Sequence, residues 1–347
     1  MRIFDKVIRY YHENLPFVVY RKPNKNTISS FFIVDDELYF TNKFKESGFV
    51  FAPFNTDEKS ILFPVEKSEC LTEEIDLEIV NSDENTFFVD DNSKENHLKI
   101  VEKTIDKIKK SNIKKVVISR KELVNISNFD LLEIYKKLLQ NYKNAFVYCW
   151  YHPKVGLWFG ATPETLLNIE NDVFKTMSLA GTQVDRGQEK PLWKSKELEE
   201  QQLVTDFIEH QLHTISSKLK IDKTETVKAG NLLHLRTRVE GKLSEKSDLK
   251  SLIRALHPTP AVCGLPRNLA KDFILENENY DRSFYTGFLG ELNLDKKSSL
   301  FVNLRCMAIK NKTASIYIGG GITKDSKAKN EWQETVSKSK TMKRVLK

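Results

Sequence analysis

The sequence contains few of the residues that build disulfide frameworks or soft-metal sites. Its 347 residues include four cysteines, Cys70, Cys149, Cys263 and Cys306, which lie far apart and form no C-x-x-C pair. This spacing argues against a disulfide framework and against a structural zinc site, and it predicts a protein of a reducing compartment.

Long apolar runs are also missing. The N-terminal segment MRIFDKVIRYYHENLPFVVYRKP carries charges inside every apolar run, so we expect no signal peptide there. No stretch approaches the ~20 apolar residues that a helix needs to cross a bilayer. We therefore expect a cytoplasmic protein without a membrane partner.

Positive charge is in modest excess. The 55 Lys and Arg residues against 48 Asp and Glu give a formal net charge of +7, spread over Lys- and Asn-rich segments such as 107–115 and 324–329. Because no basic stripe is interleaved with aromatic residues, we expect no nucleic-acid partner. The excess charge could instead help to attract a small anionic substrate.

Strand-like segments outnumber helical ones. Short alternating strands run up to about Val80, a polar stretch at 81–97 predicts a surface excursion, and helical patterns cover about 98–110, 192–219 and 330–345. Most strands follow one another directly, as in SSLFVNLRCMAI and ASIYIGGGIT. This order predicts an α+β fold with antiparallel sheets.

One carboxylate extends the apolar stripe of the 192–219 helix. Glu200 lies one turn before a stripe at helical spacing that consists of Val204, Ile208, Leu212, Ile215 and Leu219. A carboxylate on an inward face needs a partner. The alternative is a fraying first turn that leaves Glu200 in water.

The C-terminal helix shows the same feature twice. Glu331, Glu334 and Lys338 share a face with Met342 and Val345. Either this face is solvated and carries local Glu–Lys pairs, or the carboxylates surround a cation. Together with Glu200 and the absence of a Cys/His cluster, they indicate a hard, oxygen-preferring ion, for which Mg²⁺ is the natural candidate.

Two further residues suit proton transfer. Glu164, at the Pro-marked turn of WFGATPETLL, is either a surface glutamate or an acid at a strand end facing a cleft, where burial raises the pKa of a carboxyl group. Lys115, which begins the strand KVVISR, is either a strand-edge lysine or a desolvated base.

Two glycine- or proline-rich segments complete the pattern. The glycines of YIGGGIT leave backbone donors free for an anion, although no GK[ST] follows and the segment is not a P-loop. The segment LHPTPAVCGLP at 256–266 cannot be helical. It is a rigid connection, the wall of a site, or a metal or redox loop around His257 and Cys263, and the last reading lacks complementary soft ligands elsewhere.

Together these segments resemble the chorismate-utilising enzymes, specifically the isochorismate synthases. The matching run covers about 115–347 and includes KVVISR, FGATPETLL, LAGT, KELEEQQLVTDFI, LLHLRTRVEG, LHPTPAVCGLP, DRSFYTGFLGE and NEWQETVSK. The resemblance implies a single α+β domain with large antiparallel β-sheets and flanking helices. Residues 1–97 would form its variable N-terminal part and residues 98–347 its chorismate-binding catalytic region, and we expect a monomer.

The resemblance also implies a reaction. Lys115 matches the general base that activates water to attack C2 of chorismate, and Glu164 matches the general acid that protonates the leaving C4 hydroxyl. Glu200 and Glu331 match Mg²⁺ ligands, with Glu334 close by and acting through water. The ion would hold the ring carboxylate of the substrate.

Other positions match substrate contacts of the family. Arg305 and Lys338 match carboxylate-binding residues, and the remaining contacts are Gly181, Thr182, Gly319, Gly321, His234 and Tyr285. Gln201 stands where the family often has a histidine after the first metal-binding glutamate.

The family also includes enzymes with other products. The main alternative is a salicylate synthase, which goes on to eliminate pyruvate, and a second is a non-catalytic chorismate-binding paralogue. Amine-forming relatives carry hydroxyl residues in the loop that here reads PAV, so we hypothesise that Ala261 keeps water as the nucleophile. The product would feed menaquinone, siderophore or salicylate biosynthesis.

Overall fold

The computed structural model of the chain describes residues 2–76, 91–185, 187, 191–229 and 232–346. Its α-helices are α1 Ile3–His12, α2 Asp91–Lys109, α3 Leu131–Asn141, α4 Ser195–His213, α5 Leu249–Leu256, α6 Arg267–Asn277 and α7 Ala328–Lys343. Its strands are β1 Phe17–Arg21, β2 Thr27–Ile33, β3 Tyr39–Thr41, β4 Gly48–Ala52, β5 Ser60–Pro64, β6 Ser68–Glu74, β7 Lys115–Asn125, β8 Phe146–His152, β9 Gly156–Thr162, β10 Thr165–Glu170, β11 Val173–Val184, β12 Ser216–Ile221, β13 Glu225–Ala229, β14 Leu232–Leu243, β15 Gly264–Leu265, β16 Phe288–Leu294, β17 Lys297–Val302, β18 Cys306–Lys310 and β19 Thr313–Ile322.

The strands form two large antiparallel sheets. One has nine strands in the order β15-β7-β19-β18-β9-β8-β1-β2-β6, and the other has ten, in the order β12-β14-β11-β10-β17-β16-β4-β5-β3 with β13 also paired to β14. The pairings are antiparallel, for example β7 with β19 and β11 with β14. The predicted α+β class with large antiparallel sheets is therefore confirmed.

An aromatic core joins the two sheets. Phe51 of β4 stacks on Phe284 with ring centroids 4.2 Å apart, and Phe146 of β8 stacks on Phe301 of β17 at 4.3 Å. Every second residue of a strand points to the same face, so the alternating aromatic residues of β4 and β8 meet between the sheets. Of the N-terminal strands, β1, β2 and β6 belong to the nine-stranded sheet and β3, β4 and β5 to the other, and all except β6 contribute residues to this core.

Two sequence predictions are wrong in detail. The predicted helix at 192–219 ends at His213, and Leu219 lies on β12 opposite Gly241 of β14, because the alternating apolar residues of 215–221 pair as a strand instead of continuing the helix. The N-terminal residues predicted as strands begin with α1, whose buried Ile3, Val7 and Tyr10 recur at helical spacing.

Residues 81–90 of the predicted polar excursion lie outside the described residues. Residues 91–97 belong to helix α2, so the helix predicted at about 98–110 begins earlier than expected. None of the helices in the described ranges is both long enough and apolar enough to span a bilayer.

The nine-stranded sheet opens at one point. Strands β18 and β19 pair from Lys310 with Thr313 as far as Cys306 with Tyr317. Beyond Tyr317, the glycines 319–321 pair only with β7. Helix α7 packs against β19, and α4 packs against β11 of the other sheet. This opening brings the ends of several elements together around one cavity.

Candidate active site

The first residue of β7 and the first turns of α4 meet at a glycine. The Lys115 side chain is fully buried, and its Nζ lies 2.8 Å from Oε1 of Glu200. A Cβ at Gly321 would lie 2.5 Å from that oxygen and 2.8 Å from Cε of Lys115, so no larger residue fits without displacing the pair. Burial raises the pKa of Glu200, but the neighbouring lysines Lys115, Lys196 and Lys338 together outweigh burial and hold the pKa below the usual value.

The pKa of Glu164 is shifted in the opposite direction. It lies in the turn between β9 and β10 and is 3% exposed. Burial raises the pKa of its carboxyl group to about 8, although Lys115 and Lys338 oppose the rise. Glu164 is therefore largely protonated at neutral pH, and it can donate a proton into the cavity that it lines.

Helix α7 brings two more carboxylates to the site, each with its own lysine. Glu331, which is 1% exposed, accepts a hydrogen bond from Nζ of Lys196 at 2.5 Å. Glu334 lies 2.6 Å from Nζ of Lys338, which also donates to the carbonyl of Gly319 at 3.0 Å. Burial raises the pKa of Glu331, and Glu334 adds to this rise while Lys196 opposes it.

The carboxylates of α4 and α7 fit a divalent cation that prefers oxygen ligands. Oε2 of Glu331 and Oε2 of Glu197 are buried and have no hydrogen-bond partner among the described residues. Unsatisfied carboxylate oxygens of this kind are ligands that Mg²⁺ prefers. In the described ranges no three His, Cys, Asp or Glu side chains stand as a ready-made metal cluster, because lysines hold the carboxylates instead.

Sequence reasoning missed Glu197 and Lys196. Glu197 lies one turn before Glu200, with the same three-residue spacing as Glu331 and Glu334, and this repeated spacing is the signal that could have identified it. Lys196 lies on the first turn of α4 and reaches Glu331 on α7, a contact that no local pattern indicates.

Four hydrogen bonds fix Arg305 and His234, which also line the cavity. Arg305 donates to Oγ1 of Thr341 at 3.1 Å, and its second terminal nitrogen lies 3.3 Å from Nε2 of His234. A guanidinium only donates, so Nε2 accepts and Nδ1 carries the imidazole proton. Nδ1 then donates to the Gly181 carbonyl at 3.2 Å, and it also lies 3.2 Å from the Thr182 hydroxyl.

His234 stays uncharged in this arrangement. Burial and the neighbouring cations Arg305 and Lys338 lower the pKa of His234 to about 3. Arg305 therefore faces the cavity with a neutral neighbour, and its positive charge remains available for an anionic group.

The proline-rich loop forms an apolar wall of the same cavity. Ala261 and Val262 line it, opposite the stacked rings of Tyr285 and Tyr317, whose centroids are 5.5 Å apart. The Val262 carbonyl accepts a hydrogen bond from Arg282 at 3.0 Å, which anchors the wall. The loop thus combines two of the sequence interpretations, a rigid connection and a wall.

The two soft-ligand candidates of this loop lie outside the cavity wall. The His257 ring packs against Phe288 with centroids 5.1 Å apart, and the Cys263 thiol donates to the Arg267 carbonyl at 3.6 Å. Neither residue lines the cavity, so the loop offers no soft ligand to it.

Gln201 points away from the carboxylates. Its Oε1 accepts a hydrogen bond from the Ala180 amide at 2.8 Å, and its Nε2 donates to Oγ of Ser178 at 2.8 Å and to Oγ1 of Thr237 at 3.0 Å. The residue is 2% exposed. Gln201 therefore fastens α4 to β11 and β14, and it sets the position of the adjacent Glu200.

One cavity brings together most of the residues that the sequence singles out. Lys115 and Glu331 do not line it directly: Lys115 pairs with the lining Glu200, and a Cβ at the lining Gly320 would lie 3.7 Å from Oε2 of Glu331. The predicted site residues that line the cavity directly are Glu164, Gly181, Thr182, Glu200, His234, Ala261, Tyr285, Arg305, Gly319, Gly321, Glu334 and Lys338. The cavity thus combines a protonated Glu164, the carboxylates of Glu200 and Glu334, and an Arg305 that forms no ion pair with the described residues.

Known proteins share this architecture. A family model for chorismate-binding enzymes matches residues 54–347. Isochorismate synthase DhbC of Bacillus subtilis (strain 168) is 32% identical over 197 residues, which are 54% of this chain and 50% of the relative. Isochorismate synthase EntC of Escherichia coli (strain K12) is 32% identical over 200 residues, 55% of this chain and 51% of the relative. The chain thus spans about half the length of the curated relatives that it matches.

A solved structure matches over nearly the whole chain. The crystal structure of a Bacillus anthracis protein, assigned as a 2,3-dihydroxybenzoate-specific isochorismate synthase, superposes with a TM-score of 0.83 at 25% sequence identity. The match covers 99% of both chains, so the fold similarity includes the N-terminal strands.

Proposed function

Because the chain belongs to the chorismate-binding enzyme family, we propose that it is an isochorismate synthase, an isomerase that adds water at C2 of chorismate and removes the C4 hydroxyl. The observation that carries this proposal is that a protonated Glu164 and a buried Lys115 lie at the same site. An allylic displacement of this kind needs an acid and a base at separate positions around the ring.

Each group has a defined role. Lys115, in its neutral amine form, accepts a proton from the water that attacks C2, and Glu164 donates its carboxyl proton to the departing C4 oxygen. The attacking oxygen forms the new bond to C2 as both conjugated ring double bonds shift and the C4–O bond breaks. The net change moves one hydroxyl group, so the same residues serve the reverse reaction with exchanged roles.

Arg305 holds a carboxylate of the substrate. The guanidinium lines the cavity, Thr341 and His234 fix its orientation, and a neutral His234 leaves its charge uncompensated. Lys338, held by the Gly319 carbonyl, lies on the α7 side and supplies a second cation for the carboxylates of chorismate. Tyr285 and Ala261 line the ring-binding space, and Gly181, Thr182 and Gly321 border it.

Mg²⁺ would be held by Glu200 and Glu331, with Glu334 and Glu197 next to them. The buried, unpartnered oxygens of Glu331 and Glu197 support this assignment. When bound, the ion would supply positive charge that holds and polarises the ring carboxylate of chorismate. Lys115, Lys196 and Lys338 pair with the three predicted ligands and offset their negative charge.

The proposal also covers the two parts of the chain, its location, its oligomeric state and the use of its product. Residues 1–97 form the variable N-terminal part of the domain, and residues 98–347 form the catalytic region. We also propose that the protein acts as a cytoplasmic monomer, and that its product feeds menaquinone, siderophore or salicylate biosynthesis.

Product analysis tests the proposed function. Purified protein is incubated with chorismate and Mg²⁺, and the products are separated by liquid chromatography. Isochorismate as the sole product supports the proposal. Salicylate with pyruvate would make the protein a salicylate synthase, an aminated product that requires ammonia would make it an amine-forming enzyme, and chorismate binding without turnover would make it a binding paralogue.

A further inference from the structure

A second, wider cavity adjoins the site. It has a volume of about 750 Å³ and lies beside the α3–β8 connection, β13 and the end of α7. Both cavities are lined by Pro163, Leu179, His234 and Arg305. Because His234 and Arg305 contribute to both walls, an anion in the outer cavity lies next to the guanidinium that faces the inner one.

The wall of this outer cavity carries charge of one sign. It includes Lys143, Lys228, Arg236 and Arg305 and, within the described part of the chain, no Asp or Glu. Lys143 is exposed and forms no ion pair with the described residues. Lys228 pairs with Asp185 at 2.5 Å and Arg236 with Glu225 at 2.8 Å, and neither carboxylate belongs to the wall.

Another surface cavity of similar size shows that a wall with positive charges alone is not a general feature of the surface. With a volume of about 830 Å³, it is lined by Lys218, Lys242, Lys246 and Lys296, but also by Asp172, Glu245 and Asp248. Lysines are common over the whole chain, so a cationic wall without carboxylates distinguishes the outer cavity from its surroundings.

We propose that the outer cavity is the entrance for the substrate, and that its lysine and arginine side chains attract a small dicarboxylate and deliver it to Arg305. The proposal rests on the proposed function, because chorismate is such a dianion. A cleft lined with one sign of charge concentrates ligands of the opposite sign and speeds their association, and salt weakens the effect.

Charge reversal with a matched control tests the proposal. The test variant is Lys143→Glu/Lys228→Glu, and the control is Lys218→Glu/Lys242→Glu on the wall of the balanced cavity. Both variants change the net charge equally, and each reverses one lysine without an ion pair among the described residues and one paired with an aspartate. For each protein, kcat/KM for chorismate is measured at low and high salt in saturating Mg²⁺.

We expect the test variant to lose about tenfold in kcat/KM at about 0.02 M salt, with kcat unchanged. The loss should shrink to about twofold or less at about 0.5 M salt, where the Debye length is only a few ångströms. The control should remain near wild type at both concentrations. An equal loss in both variants, or a loss that salt does not reduce, would overturn the proposal.

Binding separates this inference from the proposed function. The dissociation constant of chorismate is measured by calorimetry in a Glu164→Gln background, with and without the two reversals at Lys143 and Lys228. Salt-sensitive weakening of binding supports the entrance even if wild-type protein proves to make another product. Equal binding with and without the reversals would contradict the entrance while leaving the proposed function intact, and an absence of chorismate binding would overturn both.

Discussion

The ammonium of Lys115 lies 2.8 Å from the carboxylate of Glu200, and the lysine side chain has no exposed area. The contact joins the first residue of β7 to α4, at the point where Gly321 leaves room for both side chains. The proposed general base and a predicted metal ligand are thus direct neighbours, so we expect a substitution of one to affect the function of the other.

Replacing the base should stop turnover without unfolding the protein. We expect Lys115→Ala to lower kcat by at least about a thousandfold, within the usual range for loss of general-base catalysis. The neighbouring Lys114 is exposed, and Lys114→Ala serves as the matched control with near wild-type kcat. Steady-state kinetics together with circular dichroism check the result, and full activity in Lys115→Ala would contradict the assignment.

The acid should impose an alkaline limit on activity. Since Glu164 must be protonated to donate and its pKa is raised to about 8, kcat should fall as the pH rises through about 8. Glu164→Gln keeps the shape of the side chain but cannot donate, so we expect loss of turnover at every pH. A pH profile of kcat without an alkaline limb would exclude Glu164 as the acid.

The same residue should affect stability with a defined sign. A folded-state pKa above the unfolded value of about 4.3 stabilises the protein fully below that value and progressively less as the pH rises toward the folded pKa near 8. Glu164→Gln removes this titration, so its melting temperature should exceed that of wild type at about pH 9 and differ less at about pH 6. Thermal denaturation at both pH values checks the difference, and an equal shift at both would contradict it.

Metal binding should depend on the inward carboxylates. Glu200→Gln and Glu331→Gln each remove a charged ligand, and we expect Mg²⁺ affinity to fall at least about tenfold in each. Glu199, on the same helix, is exposed, and Glu199→Gln should bind Mg²⁺ like wild type. Calorimetric titration of Mg²⁺ measures this directly, and unchanged affinity in both site variants would place the ion elsewhere.

The apolar loop wall should control the nucleophile. Ala261 lines the cavity with a methyl group that can neither donate nor accept a hydrogen bond. We expect Ala261→Thr to produce some aminated product when ammonium is supplied, whereas wild type makes none. Chromatography of the reaction products in ammonium buffer gives the answer, and an unchanged product distribution would show that the loop does not select water.

The fold class was predictable because strand alternation is repeated many times along the chain. The type and the ends of single helices and strands were harder to predict. Helix α1 lies at the start of a segment rich in aromatic and charged residues. Its helical spacing of Ile3, Val7 and Tyr10 covers too few residues to distinguish it from the strands that follow. Leu219 fits both the apolar stripe of a helix and the alternation of a strand. The pairing of β12 with β14 makes it part of a strand.

The site was predictable only in part for a similar reason. Local patterns indicate that Glu331 and Glu334 share a helix face, because they lie one turn apart. They carry no information on the contact between Glu331 and Lys196, which are 135 residues apart in sequence. The roles of Lys115, Glu164 and Arg305 came from the family resemblance, since sequence spacing does not determine which distant segments meet at the opening of a sheet.

Isotope labelling tests the central claim most directly. The reaction is run with chorismate and Mg²⁺ in water enriched in oxygen-18, and the isochorismate is analysed by mass spectrometry and NMR. If Lys115 activates water for attack at C2 while Glu164 protonates the leaving C4 oxygen, the product carries one solvent oxygen at C2. Unlabelled isochorismate would mean that the C4 hydroxyl migrates within the molecule, which would contradict the mechanism.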